Sequence, residues 1–385
     1  MALRDTDSFS QPELSLLQKL LAVNWLMVLM VCIIATVGFA MLYSAAGGSY
    51  QPWAIRQMTR FAVGLGVLIC VAMVDPRIWL RWAYAGYGVA FLLLVVVEIM
   101  GDIGMGAQRW LDLGIFQLQP SELMKVMLVL ALARYFNGLT HEDIGRVIWV
   151  VPPVLMILLP GVLVLKQPDL GTASMLMMAG AAVMFLAGVR IWKFLLGFVV
   201  VAAALPVFWS MLRDYQKNRV LIFLNPEADP LGAGYHITQS KIALGSGGLF
   251  GKGYLQGSQA HLNFLPEKQT DFIFTMLAEE FGLVGGLCLI ALYIILLGFG
   301  FYIALRARSQ FSRLVALGMT VNLFLYAFIN IAMVTGLIPV VGIPLPLVSY
   351  GGTAMLTVLV AIGLILGVSV HREVRIGRRG ADPDP

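Results

Sequence analysis

The stretch NWLMVLMVCIIATVGFAMLYSA, residues 24–45, carries no charged side chain and is 22 residues long. A helix of about 20 apolar residues spans the hydrocarbon core of a bilayer. The run follows a polar segment with acidic residues and exceeds the apolar core of a signal peptide, so we expect it to remain in the protein. Nine similar runs follow, at 53–74, 79–100, 121–136, 147–166, 170–189, 193–212, 271–304, 311–335 and 349–370. The sequence therefore predicts an all-α polytopic membrane protein with about ten transmembrane helices.

The composition of the 385-residue chain agrees with this prediction. Hydrophobic residues make up 59% of the chain and charged residues only 12%, whereas an ordinary soluble domain has about 25% charged residues. Disordered, fibrous and nucleic-acid-binding classes are excluded, and the net charge of +5 is expected to encode membrane topology. The cysteines Cys32, Cys70 and Cys288 all lie in apolar runs, so the sequence contains no disulfide framework or cysteine-based metal site.

The distribution of Lys and Arg between the spans predicts the orientation. With the N-terminus inside, fifteen of these cations lie on the inner side and five on the outer side, when the long segment 213–270 is set aside. Because cytoplasmic loops are enriched in Lys and Arg, both termini are predicted to be cytoplasmic. The predicted organisation is a cytoplasmic segment at 1–23, a ten-span membrane domain at 24–370 and a cytoplasmic tail at 371–385.

Two hydrophilic segments are predicted on the outer side, at 101–120 and at 213–270. The second lies between spans 7 and 8, and we expect it to form a folded outer cap with short helices. Its Gly-rich run at 245–253 resembles a P-loop only superficially. That motif needs Gly at 246 and Ser or Thr at 253, where the chain has Ser246 and Gly253. A nucleotide-driven pump is therefore disfavoured.

Ionisable residues cluster where three predicted spans begin on the outer side. Glu122 and Lys125 begin span 4 at a spacing that places them on one helical face. Asp169 begins span 6, and Asp271 begins span 8. Ionisable residues in a membrane domain are costly and are by default functional or paired. Their convergence predicts a polar cavity that is open to the outside.

Each of these residues also has a purely structural interpretation. Asp169 and Asp271 could simply cap their helices, and Glu122 with Lys125 could form a structural pair. Arg109 beside Trp110 could be an interfacial anchor. For Glu279 and Glu280, which lie deeper in span 8, we favour a structural role in tying that span to a neighbour or a loop.

At these same positions the chain resembles the SEDS family (shape, elongation, division and sporulation), and its RodA-type branch in particular. The matching stretches are Gly106-Ala-Gln-Arg-Trp-Leu-Asp-Leu-Gly114, Gln119-Pro-Ser-Glu122 with Lys125, Gln167-Pro-Asp-Leu-Gly-Thr172, Asp229-Pro-Leu-Gly-Ala-Gly-Tyr-His236, Gln239-Ser-Lys-Ile-Ala-Leu-Gly-Ser-Gly-Gly248, Leu265-Pro-Glu267, Thr270-Asp-Phe-Ile-Phe274, Glu279-Glu280 and Gly342-Ile-Pro-Leu-Pro-Leu-Val-Ser-Tyr-Gly-Gly352.

The resemblance implies a ten-span peptidoglycan glycosyltransferase of the bacterial inner membrane, with its active site facing the periplasm. It also implies that the enzyme polymerises lipid II during cell-wall elongation together with a class B penicillin-binding protein. Two alternatives stay open at this point: a flippase for lipid II, and a non-catalytic scaffold of the elongation complex. A flippase would need comparable polar residues toward the cytoplasmic side, where the sequence has mainly the arginines of topology.

The family position and the chemistry of glycosyl transfer predict roles for individual residues. Asp271 is expected to be the catalytic base, since a carboxylate can deprotonate the sugar hydroxyl that attacks. Arg109 and Lys125 are expected to stabilise the diphosphate leaving group, and Glu122 to orient Lys125. Asp169 is expected to shape the acceptor side, and Mg²⁺ or Mn²⁺ held by Asp169 and Asp271 is a further expectation. By the resemblance, Lys241 is added as a substrate-binding residue.

Overall fold

A computed structural model gives the fold and describes residues 15–100, 102–104, 107–112, 114, 117–211, 217, 221–222, 233–261, 267–374 and 376–377. Parts of four predicted segments lie outside the described residues. These are residues 1–14 of the N-terminal segment, residues 101, 105–106, 113 and 115–116 of the first hydrophilic segment, several stretches of the cap, and residues 375 and 378–385 of the tail. Within the matching stretches, Gly106, Leu113, 229–232 and 265–266 lie outside the described residues.

Each of the ten predicted spans falls on one helix, which confirms the all-α polytopic fold. The described helices are α1 (Leu16–Ala22), α2 (Trp25–Ala45), α3 (Ala54–Met73), α4 (Pro76–Met100), α5 (Pro120–Asn137), α6 (His141–Gly145), α7 (Val151–Lys166), α8 (Leu170–Leu186), α9 (Ile191–Met211), α10 (Ala233–Ser246), α11 (Ser258–His261), α12 (Ile273–Arg306), α13 (Gln310–Val334) and α14 (Gly352–Val370). Among these residues, seven helices have the length and composition to cross a membrane. The other three predicted spans correspond to α8 and α9, whose apolar parts are shorter, and to α5, which carries charged residues.

Helix α13 forms the centre of the bundle. It packs against α5, α8, α12 and α14, while α14 packs closely on α3. Most of its side chains are buried, because its sequence is apolar on nearly every face. The few polar side chains on α13 must therefore find their hydrogen-bond partners within the protein.

A small antiparallel sheet precedes α5. Its strands are β1 (Asp102–Gly104), β2 (Ala107–Asp112) and β3 (Gln117–Leu118), in the order β1-β2-β3. Trp110 of β2 pairs with Asp102 of β1, and Leu111 pairs with Leu118 of β3. The sequence predicted only a hydrophilic segment here. The strands are two to six residues long, too short for alternation to be recognised. The sheet holds Arg109 beside the beginning of α8.

Helix α12 is interrupted at Gly282, whose φ of 67° and ψ of −164° are not helical. The Gly-rich run of the cap is docked at this interruption. Four backbone hydrogen bonds make the connection: Lys252 N–H to Glu279 O (3.0 Å), Gly253 N–H to Glu280 O (3.0 Å), Leu283 N–H to Gly248 O (2.9 Å) and Val284 N–H to Leu249 O (3.1 Å). Because unpaired backbone groups are costly in a bilayer, the run makes the interrupted helix tolerable.

Candidate functional site

The first part of the site is a buried triad at the beginning of α5. Pro120 occupies the first turn of that helix and Glu122 lies in the same turn. Lys125 Nζ lies 2.6 Å from Glu122 Oε1, and the two side chains are 1% and 5% exposed. Tyr326 of α13 closes the triad: its hydroxyl donates to Glu122 Oε2 and accepts from Lys125 Nζ. Glu122 and Lys125 thus form one buried ion pair, and the role of this pair in substrate binding stays a prediction.

The second part is formed by Asp169 and Arg109. Asp169 caps α8, accepting from the Thr172 N–H (3.1 Å) and from the Thr172 hydroxyl (2.9 Å). Arg109 Nε lies 3.7 Å from Asp169 Oδ2, and Arg109 Nη2 donates to the carbonyl of Pro168 at 2.5 Å. Asp169 is thus a cap, as its structural interpretation predicted, and it also fixes a cation. With 26% of its side chain exposed, Arg109 keeps surface for a ligand.

The third part is Asp271, in the turn that precedes α12. Its side chain is half-buried, and its backbone carbonyl accepts from Asn330 Nδ2 of α13 at 2.9 Å. A Cβ added to Gly342 would lie 3.4 Å from Asp271 Oδ2, so the carboxylate faces the backbone of the segment between α13 and α14. Asp271 is not the cap residue of α12, because Phe272 occupies that position.

Two sets of contacts connect these three parts of the site. A Cβ on Gly171, in the first turn of α8, would lie 2.6 Å from the Val341 carbonyl, and the next residue, Gly342, borders Asp271. Along α13, Tyr326 and Asn330 are one turn apart, a rise of about 6 Å. One binds the Glu122–Lys125 pair and the other binds the turn of Asp271. The predicted convergence of α5, α8 and α12 is thus present at this end of the bundle, which we call the site end.

Sequence reasoning missed Tyr326 and Asn330. A signal was present, because Asn322, Tyr326 and Asn330 recur every fourth residue in an apolar helix and so share one face. Asn330 Nδ2 also donates to the Ile343 carbonyl at 2.7 Å. This polar face of α13 therefore connects the Glu122–Lys125 pair with the turn of Asp271.

Glu279 and Glu280 have the structural roles that the sequence favoured. Glu279 Oε1 accepts from Lys252 Nζ at 2.7 Å and from the Gln259 N–H at 3.0 Å. The Ser44 hydroxyl of α2 donates to Glu280 Oε1. Burial, followed by the charge of Glu280, raises the pKa of the nearby Tyr254 in the cap. The two carboxylates therefore tie α12 to the cap and to α2.

Lys241 lies apart from the other predicted site residues in the described contacts. It is exposed on α10 and packs along Gly336, where an added Cβ would lie 2.2 Å from Lys241 Cε. Lys268, in the turn before Asp271, has its pKa lowered by burial. Substrate binding by Lys241 stays a prediction.

The carboxylates of the site do not form a metal centre on their own. Within the described ranges there is no group of three His, Cys, Asp or Glu residues arranged to hold an ion. Both carboxylate oxygens of Asp169 already accept hydrogen bonds from Thr172, and one of them faces the Arg109 guanidinium. A site with a cation beside its carboxylate does not offer the all-oxygen donor set that Mg²⁺ or Mn²⁺ requires. The predicted divalent cation stays a prediction.

Comparison with known proteins gives consistent matches. The family model described as cell cycle protein (FtsW/RodA/SpoVE) matches residues 20–374. The chain is similar to peptidoglycan glycosyltransferase MrdB of Escherichia coli (strain K12), at 47% identity over 327 residues, 83% of this chain and 86% of that protein. It is similar to the crystal structure of the rod shape determining protein RodA of Thermus thermophilus, at 30% identity and a TM-score of 0.70, covering 92% and 99% of the two chains. A chain in a structure on the coordination of polymerization and crosslinking by a peptidoglycan synthase complex matches at 34% identity and a TM-score of 0.80, covering 91% and 99%.

Proposed function

The chain belongs to the FtsW/RodA/SpoVE family of cell cycle proteins and is a peptidoglycan glycosyltransferase, so we propose that it polymerises lipid II with Asp271 as general base. The observation that carries the assignment is the position of this carboxylate. It is half-buried at the site end and borders the segment that also contacts α8.

The reaction joins two sugars by one substitution at carbon. Asp271 accepts the proton of the acceptor's 4-hydroxyl while that oxygen forms a bond to the anomeric carbon of the donor. The bond from this carbon to the lipid diphosphate breaks, and the diphosphate leaves with the electron pair. A diphosphate leaves as an anion, so the enzyme needs positive charge at this position rather than a second acid.

Arg109 is the cation placed to contact the departing diphosphate. Its partly exposed guanidinium is fixed by the Pro168 carbonyl and by Asp169, which holds it in place before the ligand arrives. Lys125 is closed within the triad, and its charge is compensated by Glu122. We propose that Lys125 acts through this triad by fixing α5 to α13 behind the site.

The test is polymerisation of lipid II by the purified protein with its partner in detergent. Asp271→Asn keeps the shape of the side chain but not its basicity, and should lower the rate by about 10²–10⁴-fold. Asp75→Asn is the matched control. Asp75 lies at the opposite end of the bundle, where it accepts from the Arg77 N–H at 2.7 Å, and Asn serves equally well in such a role. Full activity of Asp271→Asn would remove the assignment. Detergent also abolishes the two sides that a flippase needs, so glycan product separates the enzyme from a flippase.

The protein is a multi-pass membrane protein, and we further propose an inner-membrane location with cytoplasmic termini and the site end facing the periplasm. The excess of Lys and Arg on one side of the predicted spans supports this orientation. We also propose a class B penicillin-binding protein as its partner. Exposed apolar side chains on α12, namely Leu283, Leu287 and Ile294, offer a surface for a partner's single membrane helix.

A further inference from the structure

The proposed reaction requires two lipid-linked diphosphates to be bound at once. The donor releases its diphosphate, whereas the acceptor keeps its own, whichever of the two is the growing strand. Each anion needs its own cations, since two diphosphates at one cation would repel each other. Arg109 can serve one of them. The inference below rests on the proposed function and concerns the other.

Two arginines stand at the site end of α3, near the turn of Asp271. Arg56 and Arg60 are four residues apart, so they lie on the same face of this helix. The Arg60 guanidinium carbon lies 4.9 Å from the centre of the Tyr350 ring. A Cβ on Gly352 would lie 3.3 Å from the same carbon. The guanidinium is thus held against Tyr350 and Gly352, which leaves Arg56 and the free edge of Arg60 to bind an anion.

Hydrogen bonds fix this arginine pair relative to the turn of Asp271. The Tyr350 N–H donates to the Gln269 carbonyl at 2.8 Å. The Ser349 hydroxyl donates to the Thr270 carbonyl at 2.6 Å, and Gln57 Nε2 of α3 donates to the Ser349 carbonyl at 2.9 Å. Helix α3, the segment before α14 and the turn before α12 therefore form one connected unit around Asp271.

The charge of the two arginines is not neutralised by the protein in the described part of the chain. The ion pairs found there include neither Arg56 nor Arg60. Arg56 is exposed and Arg60 partly so. The adjoining surface of α3 is apolar, with Ile55 47% and Val63 65% exposed. A cation pair above an apolar, lipid-facing surface matches a ligand with a phosphate head and a hydrocarbon tail.

We propose that Arg56 and Arg60 form a second phosphate-binding site, which holds the diphosphate of the second lipid-linked substrate. The site lies on α3, whereas Arg109 lies on β2 beside α8. The turn of Asp271 is bonded to the segment that carries Tyr350, so the arginine pair is connected to the base through this segment. This arrangement suits a reaction in which only one of two diphosphates departs.

The stoichiometry of ligand binding tests the proposal. The probe is a polyprenyl diphosphate, and binding is counted by native mass spectrometry in detergent, with Asp271→Asn as background so that no turnover occurs. This background should bind two molecules, and adding Arg56→Gln with Arg60→Gln should reduce the number to one. The one molecule that remains shows that the variant is folded. The control, Arg313→Gln, removes an exposed arginine at the opposite end of the bundle and should leave two.

Two further arms complete the experiment. Arg56→Gln alone removes an exposed side chain and should weaken binding of the second molecule by about tenfold, the loss of one charge-assisted hydrogen bond. Phosphatidylglycerol at equal concentration should not displace that molecule. The proposal is overturned if the double variant still binds two polyprenyl diphosphates, or if phosphatidylglycerol displaces the second one, which would identify a site for bulk phospholipid. Failure of the proposed function is seen separately, as absence of glycan product from the unmodified protein.

Discussion

The buried triad of Glu122, Lys125 and Tyr326 allows a quantitative prediction about stability. The two charged side chains are 1% and 5% exposed and 2.6 Å apart. Removing one partner leaves the other charge buried without compensation, so Glu122→Gln and Lys125→Met should each lower the free energy of unfolding by about 3–5 kcal/mol. The double variant leaves no buried charge. The double variant should therefore lower the free energy of unfolding by no more than either single variant does. The two changes would then be coupled by about 3 kcal/mol.

Tyr326→Phe refines the same prediction. It removes one hydroxyl that is bonded to two charged groups and keeps the ion pair, so the expected loss is about 1.5–3 kcal/mol. The assay is equilibrium unfolding of the purified protein in mixed detergent micelles. The reasoning is refuted if each single change costs less than about 1 kcal/mol, as for an exposed pair, or if the costs add. A double variant that is folded but inactive shows that the pair serves the reaction as well as the fold.

Two other predictions concern the opposite ends of the molecule. Gly282→Ala should lower the free energy of unfolding by more than about 2 kcal/mol and weaken docking of the cap, because the added Cβ would lie 2.4 Å from the Gly251 nitrogen. Gly66→Ala is the control in the same unfolding assay, since no atom lies within 4 Å of the Cβ added there. Burial lowers the pKa of His371, which faces the charges of Lys19 and Asp75. Protonation of this side chain therefore favours the unfolded state, and the free energy of unfolding should fall as the pH drops below about 6.5. His371→Leu should lose this component, and an unchanged pH dependence of unfolding would contradict it.

The bundle could be predicted from sequence because lipid imposes one strong requirement. A run such as 24–45 must be a helix wherever it packs, and every predicted span coincides with a helix. The sheet at 102–118 could not be predicted, since its strands are held by pairing with one another and not by an apolar face. The interruption of α12 was also missed. Gly282, Gly285 and Gly286 all lie in one apolar run, and only contact with the cap shows which of them leaves the helical conformation.

The candidate site was predictable as far as local spacing extends. Glu122 and Lys125 are three residues apart, and Asp169 opens a helix, so both roles follow from neighbours in the chain. Tyr326 lies 204 residues from Glu122, and no local rule brings them together. The same is true of Arg60 and Tyr350, whose contact depends on how α3 packs against α14.

The docking of the Gly-rich run on α12 has a consequence for how the protein is made. Ribosomal synthesis proceeds from the N-terminus, and segments begin to fold in that order. Residues 248–253 are therefore synthesised before the part of α12 that they complete. When Gly282 emerges, the backbone groups that pair with its neighbours are already present on the preceding chain. An order of synthesis in which α12 came first would leave those backbone groups exposed to lipid. Circular permutants that place α12 ahead of the cap should therefore insert poorly, even though their final contacts would be the same.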